Sequence, residues 1–149
     1  MVPGPEFAET AQCLCFAARR AARAITRAFD RDLRPHGLRA TQFSLLAVLE
    51  LKGPQRIGDL ARTLGADRTT LTRNLEVAAG EGLVRIGPDA DPRARVAAIA
   101  PKGRATLAAA FPAWRRSQRA LTERIGTQAA DGLRRLARAA RRRPGFRSV

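Results

Sequence analysis

The fold of this chain is decided by residues 56–84, which read RIGDLARTLGADRTTLTRNLEVAAGEGLV. Apolar residues recur in two blocks at close to helical spacing: Ile57, Leu60, Ala61 and Leu64, then Leu71, Leu75, Ala78 and Leu83. Gly65 lies between the blocks, where a residue without a Cβ atom adopts the left-handed conformation at low cost and ends a helix. Asp67 follows as a candidate N-cap for a second helix. The stretch therefore predicts two short helices around a tight turn.

Two helices joined in this way are typical of a helix-turn-helix, whose second helix lies in the major groove of DNA. Its early exposed positions carry basic and hydroxyl side chains, since Leu71 and Leu75 are expected to face inwards. Arginine can donate a fork to guanine, asparagine can pair with adenine, and threonine methyls can contact thymine. For Thr69, the alternative is that it only stabilises the first helical turn. The predicted DNA contacts here are Arg68, Thr69, Thr70, Thr72, Arg73 and Asn74.

The charge of the chain favours a polyanionic partner. Its 28 Lys and Arg face 13 Asp and Glu, which gives a formal net charge of +15. Lysine occurs only at Lys52 and Lys102, so the charge is carried by guanidinium groups, which suit phosphates and guanine edges. A genome rich in G and C explains part of the arginine excess but not the shortage of acids. Nucleic acid is therefore the first expected partner.

At 149 residues, the chain is expected to be one domain, or one domain with helical extensions. It lacks an apolar run of membrane-spanning length and the pattern of a signal peptide, so a cytoplasmic protein is expected. One His and two Cys do not supply a structural zinc site, and we predict no metal and no cofactor. A Cys-x-Cys pair without a nearby His or a glycine-rich phosphate loop gives little for catalysis, so no enzyme is predicted.

The rest of the chain predicts helices around a small hairpin. Helices are predicted at about 8–33, from Thr41 to the Gly53–Pro54 pair, and at about 102–126 and 127–142, with strands at 83–86 and 96–100. The loop GPDADPRAR between the strands is rich in turn formers. The fold class is therefore mainly α with a small β-hairpin wing, an α+β winged helix. In the helix at 102–126, a near-heptad stripe predicts helix-on-helix packing. It comprises Leu107, Phe111, Trp114, Leu121 and Ile125.

The hairpin carries two further candidates for DNA contact. Arg93 and Arg95 lie at its tip, where guanidinium groups can enter a narrow minor groove. The alternative for Arg93 is structural, because it can pair with Asp89 or Asp91 and stiffen the hairpin.

Three passages together resemble the MarR family of winged helix-turn-helix transcriptional regulators. The first is IGDLARTLGADRTTLTRNLEVAAGEGLV, which is similar to the DNA-reading core of that family. The second is DPRARVAAIAPKGR, which is similar to its wing pattern, and the third is CLCFAARRAARAITRAFD, which resembles its first helix. Ala100 stands where the family usually has Thr, and Val96 where a basic residue is common.

The resemblance implies a homodimer within which residues 1–149 form one regulator domain. Residues 8–37 and 102–142 would form the dimerisation layer, and residues 38–100 the DNA-binding lobe. Two such lobes would bind double-stranded DNA at an inverted-repeat operator, with half-sites about one helical turn apart. Repression is the expected outcome, because most relatives block a promoter. The competing class is a nonspecific architectural or RNA-binding basic protein.

The resemblance also implies release from the operator by a small ligand or an oxidant. Cys15, with Cys13 beside it, resembles the reactive cysteine of the branch of the family that senses organic hydroperoxides. A helix N-terminus favours thiolate, and oxidation to a sulfenic acid and then to a mixed or intersubunit disulfide would be the switch. The alternatives are a buried, inert cysteine and a small aromatic or phenolic inducer in the crevice between dimer layer and lobes. Candidates for lining that crevice, each of which could instead be packing, are Phe16, His36, Phe43 and Trp114.

Overall fold

The computed structural model describes residues 5–142 of the chain. These form six α-helices, three β-strands and two short 3-10 helices, Pro5–Gln12 and Arg34–His36. In chain order the elements are α1 (Leu14–Leu33), α2 (Ala40–Lys52), β1 (Gln55–Arg56), α3 (Ile57–Leu64), α4 (Arg68–Gly80), β2 (Val84–Pro88), β3 (Arg95–Ile99), α5 (Pro101–Ile125) and α6 (Thr127–Arg142). The predicted winged-helix architecture is confirmed. None of the helices in this part of the chain combines the length and apolarity needed to cross a membrane.

The first helix is shorter than the sequence predicted. We expected it to begin near Ala8, but residues before Cys13 form a 3-10 helix and α1 begins at Leu14. Two local bonds of i to i+3 type hold the tighter turn, one from the Thr10 hydroxyl to the Phe7 carbonyl at 2.7 Å and one from the Cys13 amide to the Thr10 carbonyl at 3.1 Å. The threonine side chain thus competes with the helical pattern that the apolar spacing favoured.

The helix-turn-helix forms where it was predicted. α3 ends at Gly65, whose φ of 64° lies in the left-handed region that favours glycine. Asp67 is extended and caps α4 through its side chain. Ile57, Leu60 and Leu71 are buried between the two helices and the rest of the core.

The wing belongs to a sheet with one more strand than the sequence predicted. β2 and β3 form the expected antiparallel hairpin, each shifted by about a residue, with Val84 opposite Ile99 and Pro88 opposite Arg95. The strand β1 was missed. It pairs Gln55 with Ala97 and Arg56 with Val96, so that β3 is central. Two residues give no alternation of polar and apolar side chains, so β1 had no sequence signal.

The core is formed by residues from the middle of the chain, together with the C-terminal end of α1 and the N-terminal part of α5. Leu33, Leu46, Leu60 and Leu75 have no exposed side-chain surface. The outer part of α1 and much of α6 lie outside this core. Four large apolar side chains are exposed there: Leu14 by 84%, Phe16 by 59%, Leu133 by 45% and Leu136 by 61%.

The stripe predicted on α5 is only partly the one that is buried. Leu107 is buried as expected, but Phe111 and Ile125 keep 41% and 39% of their surface exposed. Small residues allow α1 to approach the helix closely, and these take the buried face instead. The buried positions of α5 are Gly103, Leu107, Ala110, Ala113 and Ser117.

Candidate nucleic-acid interface

The first two turns of α4 have a polar face that is exposed to solvent and an apolar face that packs against the core. Leu71 and Leu75 are buried and hold the helix against the core. Arg68, Thr69 and Arg73 are exposed on the outer side of the same turns. A helix braced in this way presents guanidinium and hydroxyl groups outwards without having to rearrange.

Asp67 organises the start of α4. Its carboxylate accepts a hydrogen bond from the Thr70 amide at 2.8 Å and another from the Thr70 hydroxyl. The Thr70 hydroxyl, more than any other group, lowers the pKa of Asp67 from its ordinary value, so the cap is charged at neutral pH. The negative cap also complements the positive end of the helix. The stabilising role considered for Thr69 therefore falls to Thr70, and the Thr69 side chain remains exposed.

Two other predicted contact residues are partly turned into the protein. The Thr72 hydroxyl donates to the Arg68 carbonyl at 2.8 Å, and the side chain is half-buried. Asn74 is half-buried and lines a cavity beneath the helix. The outward-facing set on α4 is therefore narrower than the sequence indicated.

The wing is held by an ion pair that sequence reasoning missed. Arg56 donates to both carboxylate oxygens of Asp89, at 2.7 Å from Nη2 and 2.9 Å from Nε. Asp89 has only 10% of its side chain exposed, and Arg56 lowers its pKa from the ordinary value. The Asp91 amide donates to the same carboxylate at 2.9 Å. The fork fixes the end of β2 to β1.

The interpretation of Arg93 as the partner of Asp89 was wrong, because Arg56 occupies that carboxylate. Arg93 does stiffen the hairpin, but through its amide, which donates to Asp91 Oδ1 at 2.9 Å. No ion pair within residues 5–142 involves its guanidinium. Arg93 and Arg95 are both exposed at the tip of the wing.

An open cavity of about 410 Å³ lies between α1, α2, α4 and α5. Phe43 and Trp114 line it and stack on each other, with ring centroids 5.6 Å apart. Leu71 and Asn74 bring the recognition helix into the same wall. Phe16 and His36 are not part of the lining: Phe16 lies on the exposed half of α1, and His36 in the turn before α2. Half of the predicted crevice residues are therefore brought together.

Both cysteines are exposed free thiols at the start of α1. Cys13 precedes the helix with an extended backbone, and Cys15 lies in its first turn. The interpretation of Cys15 as a buried residue is therefore wrong for the single chain, and its reactivity stays a prediction. No group of three His, Cys, Asp or Glu side chains that could hold a metal ion occurs in the part of the chain that the structure covers.

The chain was compared with known proteins. No family model and no curated protein matched it. Several solved structures, in contrast, are similar to this chain. The Mycobacterium tuberculosis transcriptional regulator MosR, solved in complex with DNA, is 45% identical, with a TM-score of 0.77 over 86% of this chain and 96% of that chain. The transcriptional repressor CouR, bound to a 23-mer DNA duplex, is 28% identical, with a TM-score of 0.74 over 94% and 100%.

The Escherichia coli regulator MarR shares the fold. A mutant of that protein, solved with operator DNA, is 19% identical, with a TM-score of 0.76 over 89% of this chain and 97% of that chain. The capped recognition helix, the hairpin wing and the flanking helices follow one another in the order that the family resemblance implied. The chain therefore belongs to the MarR family of winged helix-turn-helix transcriptional regulators.

Proposed function

We propose that the protein is a homodimeric repressor that binds an inverted-repeat DNA operator through α4 and the wing. The observation that carries this proposal is the capped, leucine-braced α4 with Arg68, Thr69 and Arg73 facing outwards. MosR, which is 45% identical to this chain, was solved in complex with DNA, which supports the same role here.

The proposed contacts follow from side-chain chemistry. Arg68 and Arg73 would donate paired hydrogen bonds to guanine, and Thr69 would contact a phosphate or a thymine methyl. Thr70 offers its methyl group and the acceptor lone pairs of its hydroxyl, because its proton is committed to Asp67. Arg93 and Arg95 would enter the minor groove beside each half-site.

The proposed dimer follows from the apolar surface outside the core. Leu14 and Phe16 on α1, with Leu133 and Leu136 on α6, are exposed in the single chain. Exposed apolar patches of this kind mark protein–protein interfaces. We therefore assign residues 8–37 and 102–142 to dimerisation and residues 38–100 to the DNA-binding lobe. Two lobes related by a twofold axis require half-sites about 34 Å apart.

Binding to a selected operator tests this function. Bound duplexes are recovered from a random pool, and their affinity is compared with that of a scrambled duplex at one salt concentration. We expect an inverted repeat and an affinity ratio of about 10³ or more. Arg73→Ala should lower this ratio without dissociating the dimer, whereas Arg62→Ala, at an exposed position on α3, is the matched control. A ratio near one for the wild-type protein would instead identify a nonspecific architectural protein.

For release from DNA, we propose an aromatic or phenolic ligand in the cavity. A structure of CouR, 27% identical to this chain, contains p-coumaroyl-CoA. The stacked Phe43–Trp114 pair offers an aromatic wall, and Leu71 and Asn74 would connect a bound ligand to the recognition helix. The chain has one tryptophan, so quenching of Trp114 fluorescence reports binding directly. A ligand that quenches this fluorescence should also weaken operator binding, and in Trp114→Leu the same ligand should no longer weaken operator binding.

Thiol oxidation is the second candidate for release, and the exposure of Cys13 and Cys15 favours it. Hydroperoxide treatment should weaken operator binding in the wild-type protein and leave the Cys15→Ser variant unaffected. Equal responses of the two proteins would remove this route. The same treatment of Cys13→Ser distinguishes the contribution of the neighbouring thiol.

A further inference from the structure

The positive charge of this chain is concentrated outside the part that is proposed to hold the operator. Residues 38–100 contain nine Lys and Arg against seven Asp and Glu, a surplus of two. Residues 101–142, which form α5 and α6, contain eleven against two, a surplus of nine. Electrostatic attraction to a duplex grows with the number of phosphates that a protein neutralises. The surplus on α5 and α6 therefore requires an account of its own.

We use the name helical arginine surface for six arginines on two consecutive helices: Arg115, Arg116 and Arg119 on α5, and Arg134, Arg135 and Arg138 on α6. All six side chains are exposed. Among the residues that the structure describes, the ion pairs of this set are confined to Arg134, which donates to Asp131 at 2.7 Å. Most of these guanidinium groups thus keep their donors available to a ligand.

Four members of the helical arginine surface lie opposite the apolar face of their own helix. On α5, Ala110, Ala113 and Ser117 are buried, and helical spacing places Arg115 and Arg119 on the opposite side. On α6, the same spacing places Arg135 and Arg138 opposite the apolar face of Leu133, Leu136 and Ala137. A partner subunit on that apolar face would leave these arginines in solvent.

We propose that the helical arginine surface binds the phosphates of a second segment of duplex DNA while the lobes of the same dimer hold the operator. The inference rests on the proposed function, since it takes the lobes as the operator-binding part. Arginine suits this task because its planar fork matches a phosphate in two hydrogen bonds. Because the set lies on α5 and α6, outside the helix-turn-helix and the wing, we expect this binding to depend on charge and not on base sequence.

Duplex DNA fits this surface better than an anionic membrane does. Surface-bound amphipathic helices insert an apolar face, commonly with Trp or Phe, into the lipid headgroups. The apolar face of α6 offers only Leu and Ala, and on α5 the exposed large apolar side chains are Phe111 and Ile125, at 41% and 39%, with the Arg115 guanidinium 4.9 Å from the centre of the Phe111 ring. Both helices present exposed guanidinium groups, and such groups bind the phosphates of a nucleic-acid backbone.

A bridging experiment tests the proposal on the full-length protein. Operator duplex is fixed to beads and saturated with protein, and a labelled random duplex is then added over a range of salt concentrations. We expect retention of the second duplex, with a log–log salt slope of magnitude about 0.9 for each phosphate that is neutralised. The triple variant Arg115→Gln, Arg116→Gln, Arg119→Gln should reduce this slope by up to about 2.7 and leave operator affinity within a few-fold of wild type. The corresponding α6 variant should act in the same direction.

The matched control replaces Arg68 and Arg73 with Gln on the recognition helix. It should abolish operator preference and leave binding to random duplex largely intact. If this control keeps operator preference, the proposed function fails. If the triple variants retain the second duplex with an unchanged slope, only the present inference fails, and it also fails if the wild-type protein retains anionic phosphatidylglycerol vesicles but no second duplex.

Discussion

At the scale of single residues, Gly103 explains how α5 can begin close against the base of the wing, beside Leu83 and Ile99. A Cβ atom at this position would lie 2.0 Å from the Leu83 carbonyl oxygen and 3.1 Å from the Ile99 side chain. That carbonyl also accepts the Ala100 amide at 2.9 Å, so it is not free to move. Glycine is therefore required here by close approach of backbone and not by a special φ angle.

We predict that Gly103→Ala destabilises the protein by about 1–3 kcal/mol, the usual cost of forcing extra volume into a packed site. The matched control is Gly58→Ala in α3, where nothing lies within 4 Å of the new methyl group. Urea denaturation should lower the midpoint for the first variant and leave the second unchanged or slightly higher. Equal midpoints for the two variants would contradict this account.

A second residue-scale prediction concerns pH. The Ser117 hydroxyl, buried in α5, donates to the Asp32 carboxylate of α1 and, with Arg31, lowers the pKa of Asp32 below its ordinary value of 3.8. A carboxyl group whose pKa is lower in the folded protein adds stability above its unfolded pKa and loses it as pH falls through the folded value. The Ser117–Asp32 contact should therefore weaken in acid.

Ser117→Ala should raise the pKa of Asp32 and lower the melting temperature at pH 7. The gap between the melting temperatures of variant and wild type should narrow as pH falls below about 4, since protonated Asp32 no longer favours the contact. Titration of the Asp32 carboxyl by NMR measures the pKa change directly. A gap that widens in acid would show that the hydroxyl does not stabilise the charged form.

At the scale of elements, the sequence predicted the helices correctly where their boundaries depend on nearby residues. The positions of α3 and α4 were predicted from Gly65, Asp67 and the leucine spacing, because these signals depend on interactions between residues a few positions apart. The 3-10 turn around Thr10, the strand β1 and the buried face of α5 were mispredicted or missed. Each of the last two depends on partners far along the chain, such as Val96 for Arg56 and Asp32 for Ser117. Apolar periodicity contains no information about those partners.

The ion pair that holds the wing also joins residues far apart in the sequence, so it could not be predicted from local patterns. Arg56 and Asp89 are 33 positions apart and form a two-pronged ion pair. We expect Arg56→Gln to loosen the hairpin and to weaken operator binding several-fold, with little effect on the dimer. The double variant Arg56→Asp, Asp89→Arg should recover part of the loss, because it rebuilds the pair in reverse. Hydrogen exchange at the amides of β2 measures wing order, and recovery in neither exchange nor binding would show that the pair does not position the wing.

At the scale of the whole molecule, the chain divides into a core that is complete and outer helices that are not. Leu46, Leu60 and Leu75 are sealed within one subunit, whereas Leu14 and Leu136 are exposed by 84% and 61%. The apolar stripes of these helices predicted that they pack against other helices. They could not show whether those helices belong to the same chain or to a partner subunit, because the apolar pattern is the same in both cases. The phenylalanines differ in the same way: Phe43 is buried in the cavity wall and Phe16 is exposed on α1.

We predict that Leu136→Glu converts the proposed dimer into monomers, because it places a charge in an apolar contact that is repeated by symmetry. Sedimentation velocity at micromolar concentration should show the change in mass. Operator affinity should fall by about 10²–10⁴-fold, the usual loss when two linked contacts become independent. The matched control is Leu51→Glu on α2, whose leucine is 85% exposed but lies outside the assigned dimerisation helices. It should leave mass and affinity unchanged. Dissociation by Leu51→Glu instead of Leu136→Glu would move the subunit interface to the α2 side of the molecule, and with it the spacing of the two recognition helices.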